Sequence, residues 1–261
     1  MKRWMPLVLP VVLLLVASTG PGFPPPSSAG VAGLPGGDAA WQQVFSDHFG
    51  QPVLDPRTWT TRLPWGRENP PELQYYTDDE AQTIDGLLRI RAEKEDQFGH
   101  GYTSGVISSQ GHFALRYGYV QIRAKVPSGR GLWPAFWLLA DGESSPPEID
   151  VFEILGDQPS TVYMTNHWPC PSGEPLLHQG AFSGPDFSQD FHTFAVDWEP
   201  GLIIWHVDGV ERFRSNQNVP SEPMAMIADL AVGGAWPGNP DSSTVFPAYL
   251  DIAYIEAYQR R

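Results

Sequence analysis

Short runs of alternating apolar and polar residues recur along the chain from about Trp41 onwards. Examples are LLRIRAEK, YVQIRAKV, HTFAVDWEP, LIIWHVDG and YLDIAYIEAY. A period of two is typical of strands that bury one face, and turn residues between such runs predict antiparallel sheets in a sandwich or barrel. Asp208-Gly209 lies between LIIWHV and VERF and predicts a tight hairpin, because both turn positions tolerate positive φ. The pattern predicts an all-β fold without long helices.

The N-terminal residues follow a different pattern. Lys2 and Arg3 precede an apolar run, and small residues follow it. This layout is typical of a secretory signal peptide, which we assign to residues 1–20 and which predicts a secreted, extracellular protein. A membrane helix is the alternative, but the run is short for a span and Pro10 interrupts it.

A segment of biased composition follows the apolar run. PGFPPPSSAGVAGLPGG has no charge and no hydrophobic periodicity, which predicts a disordered linker over residues 21–39. Beyond it we find no internal repeat of a few tens of residues. One folded β-sandwich domain is therefore expected over residues 40–261.

Composition narrows the choice of partners. The chain has 261 residues, a formal net charge of -14 and a pI near 4.7. This acidity disfavours nucleic acid and anionic membrane surfaces as partners and favours a neutral partner. Cys170 is the single cysteine, so an intramolecular disulfide and a cysteine-based zinc cluster are excluded. The sequence contains no P-loop, nucleophile elbow or dinucleotide fingerprint.

Three carboxylates interrupt one of the apolar runs, PPEIDVFEILG. Acidic residues are depleted in strands and like charges on one face repel, so Glu148, Asp150 and Glu153 cost stability unless they serve a function. Glu148 and Asp150 share a strand face, whereas Glu153 has the wrong parity. A β-bulge at Val151-Phe152 would return Glu153 to the acidic face, and we predict such a bulge.

Three interpretations of this acidic row are open. Two carboxyl groups that flank a sugar linkage perform glycoside hydrolysis, one as nucleophile and the other as acid and then base. Like charges raise each other's pKa, so one member of the row can stay protonated near neutral pH. A solvated acidic strand and a calcium site built from the same oxygens are the alternatives.

The sequence around the row resembles a known family. EIDVFE is similar to the E-x-D-x-x-E signature of glycoside hydrolase family 16 in its bulged, laminarinase-like form. FSDHFG, PELQYYT, YTSGVI, YGYVQIRAKVP, GLWPAFWLL, HTFAVDWEP, LAVGGAWPG and DIAYIEAY also occur in family order, over nearly the whole globular part. The resemblance implies a concanavalin A-like jelly-roll sandwich with a concave cleft, and retaining endo-hydrolysis of a β-1,3- or mixed β-1,3-1,4-glucan without a required cofactor. We also expect a monomer.

The resemblance further implies residue roles. It makes Glu148 the nucleophile, Asp150 its assistant and Glu153 the acid/base. Trp133 and Trp137 share a strand face and resemble the pair of tryptophans on which the family stacks sugar rings. Packing in the core is the alternative role for these two residues. The candidate substrate-binding residues, taken from the resemblance or from alternation along a strand, are Gln121, Arg123, Trp133, Trp137, Thr165, His167, Asp229 and Trp236.

Several positions depart from the family pattern. Gln121 stands where Glu is usual and Asp229 where Asn is usual, which predicts altered subsites around intact catalytic machinery. A structural calcium ion of many relatives would involve Asp251 and the SDHFG segment, where His48 replaces a usual acid, and we assign no metal ligand. A non-catalytic glucan-binding protein is the rival from another class, but such relatives typically lose the catalytic glutamates. A hydrolase of agar or carrageenan is the other alternative.

Overall fold

The structure, a computed structural model, describes residues 33–140, 145–169 and 176–261. Within these ranges, sixteen strands, numbered in chain order, form two large sheets and one small pair. The larger sheet, here the outer sheet, has eight strands in the spatial order β14 (Val210–Ser215), β13 (Leu202–Val207), β12 (His192–Glu199), β7 (Gly118–Lys125), β16 (Ala248–Arg260), β4 (Leu87–Ala92) and β3 (Ala81–Ile84), with β1 (Trp41–Asp47) paired to β16.

The second large sheet, here the cleft sheet, carries the acidic row on its central strand β9. Its six antiparallel strands are β11 (Leu176–Ser183), β10 (Thr161–Trp168), β9 (Glu148–Ile154), β8 (Leu132–Ala140), β15 (Met224–Val232) and β6 (Val106–Ser108). A small parallel pair joins β2 (Gln74–Tyr76) to β5 (Tyr102–Ser104), and short 3₁₀ turns cover Asp38–Ala40 and Asp78–Glu80.

One apolar core lies between the two large sheets. Alternate residues of β7 point into it, and the largest rings fully buried there are Trp198, Trp205, Phe136, Phe152, Phe187 and Phe194. Burying such rings supplies most of the free energy that opposes chain entropy in a fold without disulfides. The prediction of an all-β jelly-roll sandwich is confirmed.

Residues just before β1 pack against the sandwich. Leu34 is buried against Trp41 and Tyr119, and the Trp41 indole N–H donates to the carbonyl of Pro35 at 2.7 Å. The linker predicted over residues 21–39 lies outside the described residues up to position 32 and stays a prediction, while Leu34 shows that an isolated apolar residue can dock without periodicity. The predicted signal peptide, residues 1–20, lies outside the described residues. Among the described residues, no helix has the length and apolarity needed to cross a membrane.

The predicted hairpin at Asp208-Gly209 is confirmed. It joins β13 to β14, and both turn residues have positive φ, 51° at Asp208 and 75° at Gly209. This two-residue connection matches the right-handed twist of the strands on either side.

Candidate active site

The register of β9 contains the predicted bulge. Against β8, Glu153 pairs with Ala135 and Asp150 with Trp137, so three steps on β9 oppose two on β8. The same irregularity appears against β10. Val151 and Phe152 both pack into the core, and Glu148, Asp150 and Glu153 line one cavity on the opposite face. The bulge at Val151-Phe152 is therefore confirmed.

A tryptophan from the opposite sheet supports the bulge. Extra residues in a bulge disturb the hydrogen-bond ladder and leave backbone groups in need of other partners. The indole N–H of Trp205, on β13, donates to the backbone carbonyl of Asp150 at 2.7 Å. Trp205 is fully buried, so this bond forms in the core directly beneath the acidic row.

Strand β10 places a second row of polar side chains beside the acids. His167 pairs with Glu148, and Thr165 with Asp150. His167 Nε2 lies 2.9 Å from Asp150 Oδ2 and 3.8 Å from Glu148 Oε1. The Thr165 hydroxyl lies 3.5 Å from Glu153 Oε2. The structure thus brings both β10 residues chosen from the sequence to the acidic row.

Burial and mutual repulsion dominate the electrostatics of the row. Burial, with the charge of Asp150 second, raises the pKa of Glu148 to about 8. The same two causes raise the pKa of Glu153 well above its ordinary value. Burial alone would lower the pKa of His167, but its hydrogen bond to Asp150 and the nearby carboxylates outweigh that effect and raise it. The row therefore retains protons at neutral pH, as an acid catalyst requires.

The acidic row opens into a cavity of about 260 Å³. One wall carries Trp65 and Trp137, whose ring centroids are 6.2 Å apart. Trp133, near Glu153, makes an edge contact with Trp236 at 5.4 Å. The cavity is lined by Leu63, Trp65, Asn69, Glu72, Tyr76, Trp133, Ala135, Trp137, Ser145, Glu148, Asp150, Glu153, Asp229 and Ala231.

The candidate tryptophans differ in their contacts. Trp133 and Trp137 are half-buried and line the cavity, while Trp236 is 39% exposed and touches both Trp133 and Tyr163. The buried indole N–H of Trp133 makes no hydrogen bond of normal geometry, yet lies close enough to Glu153 to oppose the rise in its pKa. Such a donor beside the row is suited to a ligand hydroxyl.

A polar cluster that sequence reasoning missed lies at the same wall as Trp137. Tyr76 donates its hydroxyl proton to Asp229 Oδ2 at 2.8 Å and lies 3.5 Å from Glu72 Oε2. Gln74 Nε2 donates to Glu72 at 2.6 Å. Gln74 and Tyr76 are two residues apart on β2, so their shared face was a signal in the sequence, whereas Glu72 precedes the strand and no periodicity predicts its position. Trp65 lies in a loop, where no such pattern exists.

Two predicted substrate-binding residues need correction. Gln121 and Arg123 lie on β7 of the outer sheet, and the structure does not bring them to the acidic row. Because Ile122 points into the core, its neighbours point away from it on the far side of the sandwich. Gln121 Nε2 donates to Glu256 Oε2 at 2.7 Å, which gives this side chain a structural partner. Alternation correctly predicted a shared face but could not predict which sheet carried it.

Two clusters of acidic side chains bear on metal binding. Donor atoms of Glu148, Asp150 and His167 lie within 4.8 Å of one another and could hold a divalent cation. The calcium site expected from the resemblance does not fit, because Asp251 Oδ1 and Oδ2 accept from Arg89 at 2.7 and 3.2 Å. A calcium ion there would have to displace a bidentate guanidinium.

Comparison with known proteins agrees with this geometry. The model of the family "Glycosyl hydrolases family 16" matches residues 72–254. A β-glucanase of Rhodothermus marinus is 34% identical over 249 residues, covering 84% of this chain and 85% of that protein. The endo-1,3-1,4-β-glycanase EglC of Rhizobium meliloti is 33% identical over 243 residues, which cover 83% of this chain and 51% of that longer protein.

A solved structure shows the same architecture. The laminarinase catalytic domain of Thermotoga maritima MSB8 superimposes with a TM-score of 0.75 and 37% identity, covering 85% of this chain and 99% of that one. The family match and these relatives identify the chain as a glycoside hydrolase, in agreement with its carboxylate row in an aromatic cavity. The chain belongs to glycosyl hydrolases family 16.

Proposed function

We propose that the protein is a retaining endo-β-glucanase that hydrolyses β-1,3- or mixed β-1,3-1,4-glucan. The observation that carries this proposal is the β9 bulge, which puts Glu148 and Glu153 in one cavity beside tryptophan rings. Relatives named β-glucanase, laminarinase and endo-1,3-1,4-β-glycanase support the choice of glucan.

The reaction proceeds by double displacement. Glu148, ionised, attacks the anomeric carbon while the bond to the leaving sugar oxygen breaks and Glu153 gives that oxygen its proton. Glu153, now a carboxylate, then removes a proton from a water molecule, which attacks the anomeric carbon and releases Glu148. The sugar leaves with its original anomeric configuration because inversion has occurred twice.

Asp150 and His167 control the charge of the row. Burial, followed by the charge of Asp150 between them, raises the pKa of both glutamates, and ionisation of one makes ionisation of the other less favourable. His167 binds Asp150 and offsets part of the negative charge near Glu148. The row thus holds the proton that the first step consumes and the carboxylate that attacks.

Binding of a neutral polymer rests on rings and hydroxyl partners. Indole faces stack on the apolar faces of sugar rings, and Trp65, Trp137, Trp133 and Trp236 present such rings around the cavity. The unpaired indole N–H of Trp133 supplies one donor. The N-terminal sequence pattern supports export, and we propose that the secreted protein acts as a monomer on extracellular polysaccharide.

The decisive experiment is a reducing-sugar assay on laminarin, lichenan, barley glucan, agarose and carrageenan. Hydrolysis of laminarin or the mixed-linkage glucans, with the product anomer followed by NMR from the first minutes, supports the proposal when the β-anomer forms first. Activity on agarose alone would overturn the glucanase assignment. Binding to glucan without turnover on any of the five substrates would favour the non-catalytic alternative.

A further inference from the structure

Asp229 holds one wall of the cavity in place. Its Oδ1 accepts from the indole N–H of Trp137 at 2.8 Å, and its Oδ2 accepts from the hydroxyl of Tyr76 at 2.8 Å. Asp229 is only 6% exposed and lies on β15, beside Ala135 and in line with Glu153 on β9. The Trp137 ring is therefore fixed by a carboxylate of the neighbouring strand.

The charge of this wall is not neutralised by basic residues. Five carboxyl groups line the cavity, and none of the described lining residues is Lys or Arg. Asp229 and Glu72 both approach the Tyr76 hydroxyl, at 2.8 and 3.5 Å, and burial, with the charge of Asp229 second, raises the pKa of Glu72 to about 7. Negative charge in a recess with low-dielectric walls acts strongly on a ligand that enters it.

The charge of Asp229 is not needed for its hydrogen bonds. An asparagine of the same shape could accept from Trp137 with its carbonyl oxygen and donate from its amide to the Tyr76 oxygen. The Tyr76 hydroxyl would then be free to donate to Glu72 Oε2, which is 3.5 Å away. What aspartate adds at this position is a negative charge, whose cost in repulsion and desolvation calls for a function.

We propose that Asp229 is a specificity-determining residue that positions Trp137 and excludes anionic sugar units from the cleft. The inference rests on the proposed glucanase function and deepens it: the substrate is an uncharged glucan, and units carrying carboxylate or sulfate are rejected by charge rather than by size. Like charges placed against each other at a binding surface suppress the wrong ligand.

The test compares three β-1,3-glucans: the unmodified polymer, a hydroxyethyl derivative and a carboxymethyl derivative of equal substitution. The two substituents have similar size and differ in charge. At about pH 7.5 Asp229 is ionised, since burial raises its pKa only to about 6. The wild-type kcat/KM should be about tenfold lower on the carboxymethyl than on the hydroxyethyl polymer, the size of effect expected for like charges in a partly desolvated cleft.

Asp229→Asn should reduce this charge discrimination several-fold, whatever its effect on the absolute rate. Glu222→Gln is the matched control, because it removes one negative charge from an exposed residue that does not line the cavity. It should leave the ratio unchanged. Equal loss of discrimination in both variants would mean that the net charge of the protein, and not Asp229, rejects the anionic polymer, and would overturn the proposal. Unchanged discrimination in Asp229→Asn would overturn it as well.

Two further measurements separate this inference from its foundation. If wild type hydrolyses no glucan, the proposed function fails. The further inference can still be tested by affinity electrophoresis of Glu148→Gln, which compares its binding to the hydroxyethyl and carboxymethyl polymers in the gel. If Asp229→Asn does not fold, wild type in rising salt gives the answer. Discrimination that falls steadily with salt supports exclusion by charge. Discrimination insensitive to salt in the kinetic and the binding assay refutes it.

Discussion

Both layers of the sandwich carry buried acidic residues away from the core, but the side chains that neighbour them differ in charge. In the outer layer, Asp251 on β16 is bound by Arg89, and Glu80, in the turn before β3, is bound by Arg91. On the cleft sheet, Glu148, Asp150 and Glu153 have His167 as their cationic neighbour, and no described residue lining the cavity is Lys or Arg. Buried acidic residues thus occur in both layers, with guanidinium partners in one and with other carboxyl groups in the other.

This difference separates structural from chemical carboxylates. A buried acid that is paired with a guanidinium keeps its charge and fixes geometry. A buried acid that faces other acids is driven to hold a proton, and the pKa of Glu148 rises to about 8. Acidity along a strand is therefore weak evidence of a site until the partners of each carboxylate are known.

The largest expected effect is loss of the nucleophile. Glu148→Gln should lower kcat/KM on laminarin by about 10³-fold or more, because the covalent intermediate cannot form. Its melting temperature should stay the same or rise, since a repelling buried carboxyl is removed. Steady-state kinetics and thermal unfolding on the same preparation measure both.

Glu80→Gln, in the turn that leads into β3 of the outer sheet, is the matched control. It breaks the pair with Arg91 and should cost about 1 to 3 kcal/mol in the free energy of unfolding, while kcat per folded molecule stays near wild type. If this variant lost turnover and kept its stability, the distinction between the two faces would be wrong.

The second prediction concerns the acid/base. Glu153→Ala should lose about 10²- to 10⁴-fold in kcat on polymeric glucan, yet retain measurable turnover of an activated aryl β-glucoside oligomer, whose leaving oxygen needs little protonation. Glu148→Gln should stay inactive on the same compound. Reversed behaviour of the two variants would exchange their roles.

The third prediction tests the support of the bulge. Trp205→Phe removes the donor to the Asp150 carbonyl and should lower the free energy of unfolding by about 1 to 3 kcal/mol, the cost of an unsatisfied buried acceptor plus lost packing. Because the bulge aims the acids, kcat should also fall, with KM less affected. Trp198→Phe, whose indole N–H bonds the Pro220 carbonyl elsewhere in the core, should lose similar stability without the fall in kcat.

The fourth prediction concerns Trp236, the most exposed ring of the cleft tryptophans after Trp65. Trp236→Ala should weaken binding of long glucans by about 1 to 2 kcal/mol, seen as a raised KM, through loss of a stacking surface. The melting temperature should change little, because 39% of the residue is already exposed. A large drop in melting temperature with unaltered KM would assign this ring to packing alone.

The smallest effect is expected at His167. Its charge lowers the pKa of Glu148, so His167→Gln should raise that pKa and move the acidic limb of the kcat/KM profile to higher pH, by about half a unit to one unit. Because the pKa of His167 is raised in the folded protein, its protonation stabilises the fold fully at pH values below its pKa in the unfolded chain. This stabilisation is lost as pH rises through its pKa in the folded protein. The difference in melting temperature between wild type and variant should therefore shrink as pH rises; an acidic limb that moved to lower pH would contradict the assignment.

Local periodicity predicted much of the fold and the central part of the site. In a regular pleated strand Glu153 would face away from Glu148 and Asp150, and one extra residue returns it to their face, which is why the sequence predicted the bulge. Asp208-Gly209 predicted its hairpin from dihedral preference alone. Both features depend only on residues that are close together in the sequence, so the local pattern contains all the information needed to predict them.

Features that depend on which strands become neighbours were not predicted. Gln121 and Arg123 share a face, but alternation holds equally on either sheet. The bond from Trp205 to Asp150 joins residues far apart in sequence and arises only when the sheets pack. The Asp229, Tyr76 and Glu72 cluster likewise needs β2 to lie against β15, and nothing local encodes that approach.

Strand β16 has a consequence for how the molecule is made. It pairs with β7 along one side and with β4 and β1 along the other. The last strand in the described chain is therefore a central strand on which three others of the outer sheet depend for pairing. A nascent chain that has emerged only as far as Val232 possesses the whole cleft sheet but leaves β1, β4 and β7 without their shared partner. Closure of such long-range pairings is slow, and the outer layer cannot close before translation passes Ala248.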